Sequence, residues 1–100
     1  MSELEIIRQK ISENKEYLKK TYGVEEIGVF GSVARGEQTH ESDVDVVVTL
    51  NQEKVSVGLF KFFDMQRFLE NLFNRKVDLM TKKSIRPAFR KYIFPNIIYI

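Results

Sequence analysis

GSVARGEQTHESDVDVVV, residues 31–48, decides how this chain folds. Gly31 interrupts an apolar run, IGVF at residues 27–30, and a second run, DVDVVVTL at residues 43–50, follows a polar connection. Val, Ile and Phe suit a pleated, half-buried backbone, so both runs read as strands, the second leading into a polar turn at Asn51-Gln52. Alternate side chains of a strand leave opposite faces. Asp43, Asp45 and Val47 therefore share one face, and Val44, Val46 and Val48 share the other. One face packs while its opposite carries paired negative charge.

The flanking sequence supplies layers to pack on that sheet. Upstream, Ser2 and Glu5 have capping-box spacing, and Leu4, Ile7, Ile11 and Leu18 recur on one helical face, which predicts a helix over residues 3–20 stopped at Tyr22-Gly23. After Gly31, residues 32–35 read as a short helix ended by Gly36. Downstream, residues 52–58 form a loop and residues 59–73 a helix. Its apolar stripe, widened by Phe60, Met65 and Phe68, exceeds what one packing face needs. The surplus is either further core or a partner surface. Residues 76–81 read as a third strand with Val77 and Leu79 inward and Asp78 on the opposite side. Ser84 is expected to cap a helix over residues 88–94 with Pro87 in its first turn and Pro95 at its end, and residues 96–100 to form a last strand or a docking tail. These elements predict a single α/β (α+β) domain over residues 1–100, a small mixed β-sheet with helices packed on it.

Composition removes several function classes. Hydrophobic residues at 43% and charged residues at 30% describe a globular chain, and no apolar run approaches the roughly 20 residues needed to span a bilayer. The opening MSELEIIRQK has no continuous apolar segment of the kind a secretory leader uses, so the expected location is cytoplasmic. The absence of cysteine excludes disulfides and thiolate zinc sites, and the single histidine, His40, reads as a solvated loop residue. Any metal must be held by oxygen. A net charge of +2 gives no general pull on nucleic acid. The local run Lys82, Lys83, Arg86, Arg90 and Lys91 reads as a solvated helix face in preference to a partner or nucleotide patch.

Three of the four aspartates, Asp43, Asp45 and Asp78, fall on predicted strands, where Asp is normally depleted. Residues two apart on a strand lie roughly 6.6 Å apart along it, so Asp43 and Asp45 repel unless a cation or hydrogen bonds compensate. Hard oxygen ligands suit Mg²⁺ or Mn²⁺, and Mg²⁺ completes its shell with water and substrate phosphates. Beside the pair, Gly31 permits close approach of a phosphate, Ser32 offers a hydroxyl, and a helix starting there adds amide donors. Phosphate on one side and metal on the other is the arrangement for in-line displacement at phosphorus with two ions. Asp78 is then placed to orient or deprotonate an attacking hydroxyl.

The pattern G-S-x-x-R-G, five residues, then S-D-x-D and an apolar strand resembles the signature of the nucleotidyltransferase superfamily related to DNA polymerase β, most closely its minimal nucleotidyltransferases. The resemblance assigns Gly31 and Ser32 to the phosphate-binding turn, Asp43 and Asp45 to the metal pair, Asp78 to the third catalytic carboxylate, and Arg35 and Ser42 to further motif positions. Val33 departs from the Arg often found in the family. The resemblance implies a polymerase β-like fold and Mg²⁺-dependent transfer of a nucleoside monophosphate, commonly AMP from ATP, onto a hydroxyl with pyrophosphate leaving. It also implies a HEPN-type helical partner, with the chain acting as an antitoxin, in some cases by adenylylating a tyrosine of that partner. Two other readings stand beside it: a binding module that neutralises its partner by contact alone, and a transferase subunit acting on a small molecule or an RNA end.

Overall fold

The computed structural model describes residues 2–37 and 43–100. Ser2 opens helix α1, Glu3–Glu13, its Oγ accepting the Glu5 amide at 3.1 Å. The helix does not continue to residue 20. Asn14 leaves helical geometry at φ −115° and ψ 9°, and its side-chain amide donates to the Lys10 carbonyl at 2.8 Å. Such a side chain competes with the backbone for its own hydrogen bonds. Helix α2, Lys15–Tyr22, restarts in a new direction, so Ile7 and Ile11 of one helix and Leu18 and Tyr22 of the other enter the same core. Gly23, left-handed at φ 70°, ends α2 by donating to the Lys19 carbonyl at 2.9 Å.

Strand β1, Val24–Phe30, begins three residues before the predicted run, with a bulge between Val24 and Glu26. It pairs antiparallel with β2, Val44–Leu50, which in turn pairs parallel with β3, Val77–Thr81. Asp43 and Lys76 thus sit one residue ahead of their strands. A parallel pair needs a crossover, and α4, Leu59–Phe73, supplies it with the predicted boundaries. The C-terminal residues resolve as a strand, β4, Ile98–Tyr99, on the free edge of β1, giving the order β3-β2-β1-β4.

The main core lies between this sheet and the layer of α1, α2 and α4. Val44, Val46, Val48, Val77 and Leu79 meet Ile11, Leu18, Met65 and Leu69 there. The fourth aspartate, Asp64, belongs to this layer: its carboxylate accepts the buried Tyr22 hydroxyl at 2.7 Å, and burial together with that bond raises the Tyr22 phenol far above its usual range. The surplus of the α4 stripe divides: Met65 is buried in the core and Phe68 packs against it, whereas Phe60 is 89% exposed. No described helix is long and apolar enough to cross a membrane.

The aspartate face of the sheet is not left open along its whole length. Val47 is buried there with Phe30, Ile85 and Ile97, and Met80, Ile93 and Phe94 pack around them. The chain after β3 builds this cover from a 3₁₀ turn at Lys82–Ser84, helix α5 at Pro87–Ile93 and a second 3₁₀ turn at Phe94–Asn96. Ser84 does not cap α5. Its own amide is capped by Thr81 Oγ1 at 3.2 Å, and α5 starts at Pro87, whose missing N–H costs nothing at a first helical position. Pro95 stands directly after Phe94, the C-cap of α5, where a helix-stopping proline is expected, and lies inside the second 3₁₀ turn.

Gly28 is what lets this cover close. A Cβ at that position would stand 2.6 Å from Ile97 Cγ2 and 3.0 Å from the Ile98 carbonyl oxygen. Gly28→Ala is expected to destabilise the fold by about 1–3 kcal/mol through overpacking, read as a lower urea midpoint with an unchanged slope. An unaltered midpoint would mean that β4 docks without the close approach.

Candidate active site

Because β1 and β2 are antiparallel, the end of β1 lies beside the start of β2, and Phe30 pairs with Asp45. The chain leaves β1 directly into α3, Gly31–Arg35. Gly31 has φ +71°, where a side chain is strained, and a Cβ on it would collide with the Asp45 carboxylate. Glycine is required twice over. The N-cap of α3 is Phe30, which has no hydrogen-bonding side chain, so the first amides of the helix receive no cap from it. Helix amides in that position are donors for an external anion. Ser32 is half-buried at this turn.

Val33 explains how so short a helix is held. It is 1% exposed and belongs to the main core, so its side chain anchors α3 from the side opposite any ligand. The departure from Arg at this position thus exchanges a charge for an anchor. Gly36, left-handed at φ 72°, ends α3, and the Glu37 amide closes the turn on the Ser32 carbonyl at 2.9 Å. Arg35 holds Glu37 through Nε at 3.0 Å, with both side chains well exposed. Such a pair is weak and exchanges readily.

The parallel register puts Asp45 directly opposite Asp78, on strands about 4.8 Å apart. Asp43 lies just ahead of β2, exposed like Asp78, while Asp45 is half-buried. The Asp45 carboxyl is raised above its ordinary range, first by burial, then by the charge of Asp78 and then by that of Asp43, with Arg35 partly offsetting them. Of the carboxylates predicted from sequence, Asp78 and Asp43 thus both act on Asp45 through their charge. Among the described residues, no three acidic side chains are already drawn to ligating distance around one point. Ser42 and His40 lie outside the described residues.

Beside the turn, Gly31, Ala34 and Arg35 face Pro95, Asn96 and Ile97 across a cavity of about 290 Å³. Sequence reasoning did not find Asn96 here. Its placement follows from the pairing of β4 with β1, for which the apolar C-terminal residues were the one signal. A larger groove of about 460 Å³ lies at the far end of β2 and β3, lined by Thr49, Asn51, Thr81 and Lys82. Volume does not select the site. The open amides at Gly31 and the carboxylate cluster do, because together they suit a ligand that is itself anionic and carries a cation.

Known proteins resemble this chain in sequence and in fold. The sequence matches the nucleotidyltransferase domain family over residues 11–100. The protein adenylyltransferase MntA of Thermococcus cleftensis is 36% identical over 100 residues, covering 100% of this chain and 98% of that protein. A solved structure assigned as a minimal nucleotidyltransferase superposes with a TM-score of 0.78 at 28% identity, over 98% of this chain and 95% of the other. A crystal structure of the toxin–antitoxin pair MntA–HpeT shares the fold with a TM-score of 0.70 at 16% identity, over 93% of this chain and 70% of the other. The glycine turn, the carboxylates on its flank and a match over nine-tenths of the sequence lead to one assignment: this chain belongs to the nucleotidyltransferase domain family.

Proposed function

We propose that this protein transfers AMP from ATP to a hydroxyl of a partner protein in a Mg²⁺-dependent reaction, acting in the cytoplasm as the antitoxin of a toxin–antitoxin pair. The partner on this reading is a HEPN-type helical protein and the acceptor a tyrosine. The observation that carries the reading is the position of Asp45, set between Asp43 and Asp78 and pressed against the uncapped start of α3 at Gly31.

The residues fit a divalent cation. Asp45 is half-buried among like charges that raise its carboxyl, a cost that a bound cation removes. Asp43 and Asp45 would hold the ion, with Asp78 as a further oxygen ligand. When bound, Mg²⁺, or Mn²⁺ in its place, neutralises phosphate charge and draws electron density from the phosphorus. The rest is done by the chain. The Gly31 turn and the Ser32 hydroxyl grip the triphosphate, and Arg35, released from Glu37, adds a charge-assisted contact to it. Asp78 takes the proton of the acceptor hydroxyl as its oxygen bonds to the α-phosphorus and the bond to the β-phosphate oxygen breaks, releasing pyrophosphate. Ser42 keeps its proposed place at the motif's edge.

One observation favours a second reading. The N-terminal end of α4 exposes Leu59, Phe60 and Phe63 together, an apolar patch suited to holding a partner by contact. Both readings meet in one assay. The protein, its partner, labelled ATP and Mg²⁺ are incubated with wild type or with the Asp43→Asn, Asp45→Asn double variant. Transfer is expected to fall at least about a thousandfold in the variant. Equal labelling by both proteins would refute the assignment, and silencing of the partner without label from either would establish contact inhibition.

Two further outcomes follow from the site. Ser32→Ala is expected to weaken ATP·Mg²⁺ binding by about threefold to tenfold, in line with the loss of one hydrogen bond, with little change in thermal stability. Titration calorimetry checks both parts. The raised Asp45 carboxyl sets a pH dependence with a definite sign. A folded-state value above the unfolded one means that ionising Asp45 costs stability as pH rises through the folded value. Without divalent ions, Asp45→Asn should therefore melt above wild type at pH 7, the gap closing near pH 4. Added Mg²⁺ should raise the melting temperature of wild type and leave the double variant where it was.

A further inference from the structure

All fourteen side-chain carboxylates of the chain precede residue 79, and the residues that follow carry five cations. That cationic stretch is folded into the cover over the aspartate face of the sheet, where Ile85 and Ile97 are buried beside Val47. Between those anchors α5 buries none of its own residues. It presents Phe89 at 51% and Tyr92 at 64% exposure, with Lys83, Arg86 and Lys91 exposed around them. The other two cations are engaged within the cover. Arg90 Nε donates to the Ile85 carbonyl at 3.0 Å, and Lys82 lies 5.1 Å over each of the Phe94 and Tyr99 rings. Helix α5 is thus fixed from both flanks and, among the described residues, unpartnered on its outer face.

We propose that α5 and the turn before it form the docking face for the acceptor, and that they receive an acidic, hydroxyl-bearing segment of protein. The inference rests on the transferase reading of Asp43, Asp45 and Asp78. An acceptor must approach on the side of the sheet that carries those residues, and Ile93 of α5 packs on that side with Val47, two residues along β2 from Asp45. The apolar end of α4 lies in the opposite layer, beyond the far end of β2, and does not border them. The carboxylates repel an acidic segment as it arrives, and Lys83, Arg86 and Lys91 counter that repulsion and steer the encounter. Exposed aromatics among cations also suit single-stranded nucleic acid. The length of the strip decides against it: seven helical residues span about 10 Å, room for a few side chains of a peptide and too short for the track of roughly six to ten phosphates that sustains electrostatic nucleic-acid binding. Glu25 and Glu53, which line the same groove as Lys83, bound one end of the strip.

Fluorescence anisotropy with the full chain tests this. The probes are a labelled peptide Glu-Glu-Tyr-Glu-Glu, its counterpart with Gln for every Glu, and a single-stranded 12-mer RNA. The acidic peptide is expected to bind in a salt-sensitive way, and the Lys83→Glu, Arg86→Glu, Lys91→Glu variant to weaken it at least about tenfold. A Lys83→Gln, Arg86→Gln, Lys91→Gln variant, which introduces no repulsion, should show an intermediate loss. Unchanged ATP·Mg²⁺ affinity confirms that both variants keep their fold. The Asp43→Asn, Asp45→Asn variant should bind the peptide at least as tightly as wild type, so a failure of the transfer assignment leaves docking intact and distinguishable. Equal binding of the acidic and Gln peptides, equal binding by wild type and the charge-reversed variant, or tighter RNA binding lost in that variant would each overturn the proposal.

Discussion

The contact between Gly31 and the Asp45 carboxylate is the constraint on which the site depends. It exists because β1 and β2 are antiparallel neighbours and α3 begins at the last residue of their pairing, leaving no spacer between strand and helix. A side chain at Gly31 would have to occupy the volume that the carboxylate fills. The fold thereby brings the donors of a helix start and the negative charge of a strand to adjacent points without a long loop, and the separation between them is set by backbone geometry. Adjacent groups set on regular elements keep their spacing better than groups on loops.

Holding three carboxylates on neighbouring strand positions works against the fold, and the opposite face offsets it. Val44 and Val46 flank Asp45 on β2, and Val77 and Leu79 flank Asp78 on β3, so both carboxylates alternate with residues buried in the main core. Val33 extends the same core beneath the turn. The polar side of the site is thus a strained layer mounted on an ordinary apolar one. Asp45 carries most of the strain, since it alone of the three is half-buried.

Much of this was legible in sequence because the signals are local. Period-two alternation located Asp45 and Asp78 on one face, with Asp43 falling just ahead of β2, Gly36 marked the end of α3, and residues 59–73 read as the helix that they form. What escaped was decided at longer range. The break at Asn14 depends on one side-chain amide finding the Lys10 carbonyl, an outcome that the uninterrupted apolar periodicity of residues 4–18 masks. Val47 looked like a solvent-side residue because nothing in β2 announces that Ile85 and Ile97, about 40 and 50 residues later, will cover it. Asn96 reached the neighbourhood of Gly31 for the same reason: a two-residue strand on the edge of β1 carries too little pattern to fix a register in advance.

The cover over Val47 also bears on where an acceptor is bound. Phe30, whose backbone pairs with Asp45, is itself one of the residues buried beneath Ile85 and Ile97. The C-terminal segment is therefore linked to the neighbourhood of Asp45 through both Phe30 and Val47. On the proposed reading, a partner that settles on α5 presses on this linkage as well as presenting its hydroxyl. On the same reading, acceptor docking and cation binding are thermodynamically coupled, since each acts on the packing of Phe30 beside the start of β2.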